Sequence, residues 1–309
     1  MQRFPVIIGP TAGGKTALAV EVAHQFAARA CGMGEVVSAD SMLLFRGLDI
    51  GSAKPTASER RGVPHHLIDV LEPTERFSVH QWLAAAEQVI DAIQTRGHVP
   101  VVVGGTHLYV KALLEGLFEG PGADDAVRQE LLAMEPIARR SLLERVDPAA
   151  ASRIHPNDER RTVRALEVWR LTGKPISTLQ QQWDRGTRSD CVLVGLEWPV
   201  DAINQRINAR VRAMVEQGLV DEAKALWASG RLGPLAAEGL GYKQLVEHFE
   251  GRCSLEEAVE AIKIETRRFA KNQRTWLKRL RMTPGSIWVQ MPSTSTVEAA
   301  QVVVDACLR

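Results

Sequence analysis

Near the start of the chain, Gly9-Pro10-Thr11-Ala12-Gly13-Gly14-Lys15-Thr16 could do chemistry on a phosphate, for it fits the pattern G-x-x-x-x-G-K-[ST]. Its glycines let the backbone curl until successive N–H groups and a helix N-terminus face an anion. Lys15 adds a mobile positive charge, and the Thr16 hydroxyl could hold Mg²⁺. A carboxylate able to work beside such a loop is Asp40, which ends the apolar run Glu35–Ala39. Three uses stay open for it: a metal ligand, a general base beside the phosphate, or a turn cap shared with Ser41. Enzymes that hydrolyse a nucleotide on such a loop normally place an acid straight after a buried strand to help hold Mg²⁺. Here the run Pro100–Val103 enters Gly104-Gly105-Thr106 instead.

A second feature is charge on a long helix expected over Leu255–Arg281. Leu255, Val259, Ile262, Thr266, Phe269, Gln273, Trp276 and Leu280 mark one stripe at helical spacing. Lys263, Arg267, Arg268, Lys271, Arg274, Lys278, Arg279 and Arg281 gather on another face, with Glu265 the only nearby acid. Such a run is either a solvated face or a site answered by anions, and a polyphosphate backbone is the obvious anion. Arg160, Arg161 and Arg164 form a smaller cluster on a helix capped by Asn157 or Asp158, where Asp158, Glu159 and Glu167 offer ion-pair partners. Adjacent His65 and His66 diverge and lack a third ligand at metal spacing, so they are read as hydrogen-bonded structural histidines. Trp82, Trp169 and Trp183 are read as core.

The elements that must position these groups follow from periodicity. Phe4–Ile8 reads as a buried strand before the loop, and Thr16–Ala30 as a helix after it, with Leu18, Val22 and Phe26 inward. Glu35–Ala39, Pro100–Val103, Cys191–Glu197 and Ile287–Val289 read as further strands, and Val79–Gln94 as a helix. Strands alternating with helices imply a parallel sheet, whose ligands sit at the strands' carboxyl ends. Asp40, Gly104, Gly105 and Thr106 are therefore expected to converge on the loop. The Gly/Pro/Ser-rich stretch Gly47–Pro64 is too long for a simple connection, and such loops tend to be functional. From Gly116 to about Gln182 the pattern is helical, an insertion into an α/β core; beyond Glu197, helices are expected at Val200–Glu216, Asp221–Ser229 and Tyr242–Glu250. The expected division is 1–115 with 189–309 for the core and its basic helices, and 116–188 for the inserted helical domain.

Bulk properties narrow the class. A net charge of +1 does not announce a nucleic-acid binder, so that role would rest on local clustering. No apolar stretch approaches the ~18 residues of a membrane span. The four cysteines, Cys31, Cys191, Cys253 and Cys307, are far apart and read as reduced thiols of a cytoplasmic protein. Because the chain is expected to enter a strand at once, no signal peptide is expected.

Seven ordered segments carry a resemblance over nearly the whole length. They are Gly9–Thr16; Ser38–Ser41 with Gly47–Pro55; Pro64–Asp69; Gly104–Thr106 with Leu108-Tyr109; His155–Asp158 through Arg164–Glu167; Gly241-Tyr242-Lys243; and Arg268–Trp276. With them the chain resembles bacterial tRNA dimethylallyltransferases, also called tRNA isopentenyltransferases. Gly13, where the family often has Ser, and Phe45, where Tyr is common, are mild departures. The resemblance implies a P-loop NTPase-like α/β sheet in which the loop (Gly9, Thr11, Ala12, Gly13, Gly14, Lys15, Thr16) holds the diphosphate of dimethylallyl diphosphate with Mg²⁺, and no nucleotide is hydrolysed. The implied acceptor is the exocyclic amine of the adenine immediately 3′ of the tRNA anticodon, flipped into a channel to meet the allyl group. It also implies Asp40 as base, Thr106 at the reacting junction, and Arg210 neutralising the leaving diphosphate. The tRNA contacts it implies are Asp40, Ser41, Met42, Leu43 and Thr106; Arg128; Arg160, Arg161, Thr162, Val163 and Arg164; Glu238, Gly239, Leu240, Gly241, Tyr242 and Lys243; and Lys271, Asn272, Gln273, Arg274, Thr275, Trp276, Leu277 and Lys278. A monomer is expected. Rival readings are a small-molecule kinase using ATP, and a nucleotide-switched RNA-binding protein without catalysis.

Overall fold

A computed structural model describes residues 3–29, 31–118, 120–180 and 188–309. The chain divides into two compact units, Met1–Leu113 with Arg188–Arg309, and Leu114–Thr187. In the first unit, β1 (Phe4–Ile8) leads through the loop to α1 (Lys15–Ala28), then come β2 (Gly34–Ser38), α2 (Ala57–Arg60), β3 (His65–His66), α3 (Val79–Thr95), β4 (Val99–Gly104) and α4 (His107–Glu115). The second unit holds α5 (Asp125–Ala133), α6 (Pro136–Val146), α7 (Pro148–Arg153), α8 (Glu159–Thr172) and α9 (Ile176–Leu179). The chain returns to the first unit with β5 (Cys191–Glu197), α10 (Val200–Glu216), α11 (Leu219–Ala228), α12 (Pro234–Ala237), α13 (Tyr242–Phe249), α14 (Leu255–Leu280), β6 (Ile287–Gln290) and α15 (Thr296–Leu308).

The six strands form one parallel sheet in the order β3-β2-β4-β1-β5-β6. Strands buried along their length read as continuous apolar runs. Phe4, Val6 and Ile7 of β1, Val101 and Val102 of β4, and Val194 of β5 are fully buried. Register sets what lies side by side at the carboxyl edge. Ile8 pairs with Gly104, and Ser38 with Val103. The phosphate loop therefore leaves the sheet beside the turn Gly105-Thr106, and Asp40 emerges level with it. Gly104 is required there, because a Cβ would come within 2.1 Å of the Ala39 carbonyl oxygen.

Several elements differ from the sequence reading. The Gly47–Pro64 stretch contains α2, whose Thr56 and Glu59 form a reciprocal capping box. His65 and His66 make a short edge strand, missed because two residues carry no periodicity. The helix α15 was also missed, although Ser295 and Glu298 form the same capping signature and Ala299, Ala300, Val303, Val304 and Cys307 are buried at helical spacing. On α14 the buried positions are Ala258, Ile262, Ala270 and Gln273, while Phe269 is 39% exposed. The expected stripe followed side-chain size, whereas the real one uses alanines that let neighbouring backbone come close. The expected ends of two elements at Ala30 and Gln182, and Trp183, lie outside the described residues.

The second unit has its own core, with Leu131, Leu142, Leu143, Leu166 and Ile176 at its centre and Trp169 packed against it. Asp158 caps α8 by accepting the Arg161 N–H at 3.1 Å. Among the described residues, no helix is long and apolar enough to cross a membrane.

Candidate active site

The loop from Gly9 to Thr16 is held in shape by its own protein. Ala12 adopts φ 59°, a left-handed conformation uncommon for a residue with a side chain. Lys15 Nζ donates to the carbonyls of Gly9 (3.1 Å) and Pro10 (2.9 Å). Gln273, buried on α14, accepts the Thr11 N–H through Oε1 at 2.8 Å and donates through Nε2 to the Gly105 carbonyl at 3.0 Å. One amide thus ties α14 to both the phosphate loop and the turn after β4. The first-turn N–H groups of α1 have no acceptor within the helix and are available to an anion.

Asp40 stands across from this loop. Its Oδ1 accepts the Met42 N–H at 3.0 Å, the turn cap that the sequence left open, while Oδ2 is not used in that cap. Thr106 Oγ1 accepts the Ser41 N–H (3.0 Å) and donates to Ser41 Oγ (3.3 Å), while its own N–H donates to the Ala39 carbonyl at 3.2 Å. Asp40, Ser41 and Thr106 therefore form one tied cluster, with Trp82 donating its indole N–H to the Ser38 carbonyl behind it. Tyr109 stacks on Trp82 with ring centroids 4.4 Å apart, and burial reinforced by the Asp40 charge pushes its phenol up to about 12.

The electrostatics join three residues. Burial pulls the Lys15 ammonium down to about 8; the Asp40 charge pulls it back up and Arg210 pushes it down further. Burial also lowers Arg210, against the pull of Asp40 and Glu59. Two partly desolvated cations and a carboxylate therefore sense one another at the carboxyl edge of β1, β2 and β4. Beside them lies a narrow, half-open pocket. Ile8, Val110, Trp276, Leu277 and Leu280 give it apolar walls, and Gly9, Gly105 and Gln273 form its end at the loop.

The loop 47–55 belongs to the same face through contacts that the sequence did not reveal. The Glu222 carboxylate accepts the backbone N–H groups of Asp49 (3.0 Å), Ile50 (2.8 Å) and Gly51 (3.1 Å), and the Tyr242 hydroxyl at 2.6 Å. Tyr242 is buried against Gly51, where a Cβ would lie 2.5 Å from its ring. Lys54 is buried too and donates to the Phe45 carbonyl (2.9 Å) and to the carboxylates of Asp49 (2.6 Å) and Asp69. The Met42 methyl packs against Gly239, so the segments around Asp40 and Gly241 adjoin. No motif announced Glu222, since a lone acid on an amphipathic helix looks like solvated surface.

The expected RNA-contacting residues divide by exposure. Lys271, Asn272, Thr275 and Lys278 on α14, and Glu238 and Lys243 beside α13, are exposed. Met42, Leu43, Leu240, Arg274 and Leu277 are half-buried. Arg274 Nη1 is buried without a hydrogen-bond partner among the described residues. Trp276 stacks on His107 at 4.5 Å, with Arg279 lying 5.3 Å from its ring. Thr162 and Val163 on α8, and Gly239, Gly241, Tyr242 and Gln273, are buried. Arg160 and Arg161 are exposed, whereas Arg128 (2.8 Å) and Arg164 (2.6 Å) both pair with the fully buried Glu167. The basic face of α14 is partly answered from within, as Lys263 pairs with Glu260 at 3.0 Å, Arg268 with Glu265 and Arg281 with Glu197.

The histidine pair is structural. His66 Nε2 and His98 Nδ1 each lie 2.6 Å from an oxygen of the buried Glu35, which Arg96 also contacts at 2.9 Å. Burial raises the Glu35 carboxyl, but hydrogen bonds from His98, His66 and Arg96 outweigh it and hold the group down at about 2. His65 Nδ1 is 2.8 Å from the Val63 carbonyl.

Comparison with known proteins agrees with this arrangement. A family model described as IPP transferase matches residues 43–280. The chain is 44% identical over 297 residues to a tRNA dimethylallyltransferase of Geobacter sulfurreducens, covering 94% of this chain and 93% of that one. It is 43% identical over 280 residues to tRNA dimethylallyltransferase 2 of Geotalea uraniireducens, covering 89% and 88%. Among solved structures, the full-length tRNA isopentenylpyrophosphate transferase of Bacillus halodurans is similar with a TM-score of 0.72 and 38% identity, over 99% of this chain and 97% of that one. A eukaryotic dimethylallyltransferase caught acting on tRNA gives a TM-score of 0.82 at 27% identity, over 98% of this chain and 78% of that one. A family model that spans most of the chain, with relatives more than 40% identical over about nine-tenths of their length, makes the protein a member of the tRNA dimethylallyltransferase (IPP transferase) family.

Proposed function

We propose that this protein transfers the dimethylallyl group of dimethylallyl diphosphate to the N6 amine of the adenine 3′ of the anticodon in tRNA, releasing diphosphate. The observation that carries the reading is that Gln273 ties the Gly9–Thr16 loop to the turn after β4, where Thr106, Ser41 and Asp40 form one cluster at the same strand edge. The loop and Lys15 bind the diphosphate, and the pocket takes the hydrocarbon. An adenine amine is a poor nucleophile because its lone pair is delocalised into the ring. As the bond from nitrogen to the allylic carbon forms, the carbon–oxygen bond breaks and its electron pair leaves on the diphosphate. Asp40 takes the amine proton, and Thr106, tied to Ser41, stands at the junction. Lys15 and Arg210 meet the charge that grows on the leaving group, where preorganised cations lower a barrier most.

The Thr16 hydroxyl and the diphosphate oxygens make the hard-oxygen donor set that suits Mg²⁺, which would supply further charge neutralisation. The exposed cations of α14, with Arg160 and Arg161 of the second unit, are the RNA-facing groups, and the protein acts in the cytoplasm as a monomer. Family membership leaves no room for the kinase and switch readings. The test is incubation of the protein with labelled dimethylallyl diphosphate and unmodified tRNA. Label should pass to the RNA, and Asp40→Asn should keep RNA affinity while losing about 10²–10⁴ in kcat. An Asp40→Asn variant with near-normal kcat rules the carboxylate out as base, and ATP turnover without tRNA rules out the transferase.

A further inference from the structure

The phosphate loop is gripped from outside by two residues that no motif marks. Trp198, just after β5, donates its indole N–H to the Gly13 carbonyl at 3.1 Å. Arg206, on α10, donates Nε–H to the Ala12 carbonyl at 2.9 Å. The two side chains also hold each other, with the guanidinium carbon 4.8 Å from the Trp198 ring centroid. Beneath them, Ala12 packs in a small apolar cluster with Ile203 and Ile207 of α10 and Ala270 of α14, and Trp198 rests against it. The ring closes tightly over the loop, since a Cβ at Gly13 would sit 3.3 Å from the Trp198 indole nitrogen and 2.8 Å from the Pro10 carbonyl oxygen.

These contacts fall on the strained part of the loop. Ala12 and Gly14 both have left-handed φ, 59° and 83°. A conformation of that kind persists where the surroundings over-determine it. Holding the Ala12 and Gly13 carbonyls outward keeps the neighbouring N–H groups turned toward the anion side. Arg206 also stands one helical turn before Arg210, so α10 joins the grip on the loop to the cation facing Asp40.

We propose that Trp198 and Arg206 are positioning residues that preorganise the loop for diphosphate, so that little ordering is left for the binding step. This rests on the reading of the loop as a diphosphate site. The test compares wild type with Trp198→Phe, which keeps the ring and loses the donor, and with Arg206→Met. Calorimetry with inorganic pyrophosphate and Mg²⁺ should show affinity weakened about tenfold in each variant. The KM for dimethylallyl diphosphate should rise in step, while kcat at saturation and the Kd for an anticodon stem-loop change less than about twofold. Restoring a cation with Arg206→Lys should recover part of the loss. A lowered melting temperature with unchanged pyrophosphate Kd and KM would make the pair mere scaffolding and overturn the proposal. If Arg206→Met fails to fold, Trp198→Phe decides alone. Wild type that does not bind pyrophosphate would instead refute the diphosphate reading itself.

Discussion

Lys15 should make diphosphate binding fade with alkali in a range where an ordinary lysine would not respond. Burial brings its ammonium from the ordinary 10.5 down to about 8. At pH 7 about nine-tenths of the side chains then carry charge, and at pH 9 about one-tenth. If only the charged form grips the anion, affinity falls about tenfold between those values, close to 1.4 kcal/mol. The sign follows from the direction of the shift: a cation pulled down loses its proton as pH rises through about 8, so binding is strong below and weak above. The assay is a pyrophosphate titration at half-unit steps from pH 7 to 9.5, run in parallel on wild type and Lys15→Met. Their ratio cancels the ligand's own titration and should shrink about tenfold by pH 9, whereas the ratio of Lys15→Arg to Lys15→Met should stay level. A wild-type ratio that is flat across the range refutes the argument, because it would mean that Lys15 is not desolvated beside the anion.

Two further outcomes are expected. Glu222→Ala strips one carboxylate from three backbone donors and a tyrosine, so urea unfolding should show a loss of about 2–4 kcal/mol, and an effect below about 0.5 kcal/mol would contradict the clasp. Arg274→Ala should weaken binding of an anticodon stem-loop and lower the slope of log Kd against log salt by about one, and an unchanged slope would show that Arg274 does not meet a phosphate.

What the sequence disclosed depended on how local each signal is. The loop Gly9–Thr16 and its flanking strand and helix were readable because a turn that cradles phosphate must be contiguous. The meeting of Asp40 with Gly105 and Thr106 was readable one step further, since parallel strands put their ends on one edge. The supports were not readable. Gln273 reaches back 262 positions to Thr11, Glu222 reaches 171 positions to Gly51, and Arg206 reaches 194 positions to Ala12. Pairings at that separation leave no periodicity. The basic helix was half legible: its cations were identified, but only Glu265 was counted as a nearby acid, whereas Glu260 of the same helix and Glu197 of β5 also answer some of them. On α8 the clustered arginines looked alike, yet only the fold separates Arg164, spent on a buried acid, from the exposed Arg160.

The Glu222 clasp makes the bend at 49–51 dependent on a helix far along the chain. Three consecutive amides at Asp49, Ile50 and Gly51 find their acceptor in one side chain of α11 rather than in their own neighbourhood. Removing that acceptor leaves the amides to water or unpaired. A substitution on α11 is therefore felt first in a loop 171 positions earlier, and a genetic lesion there would masquerade as a defect of the bend itself.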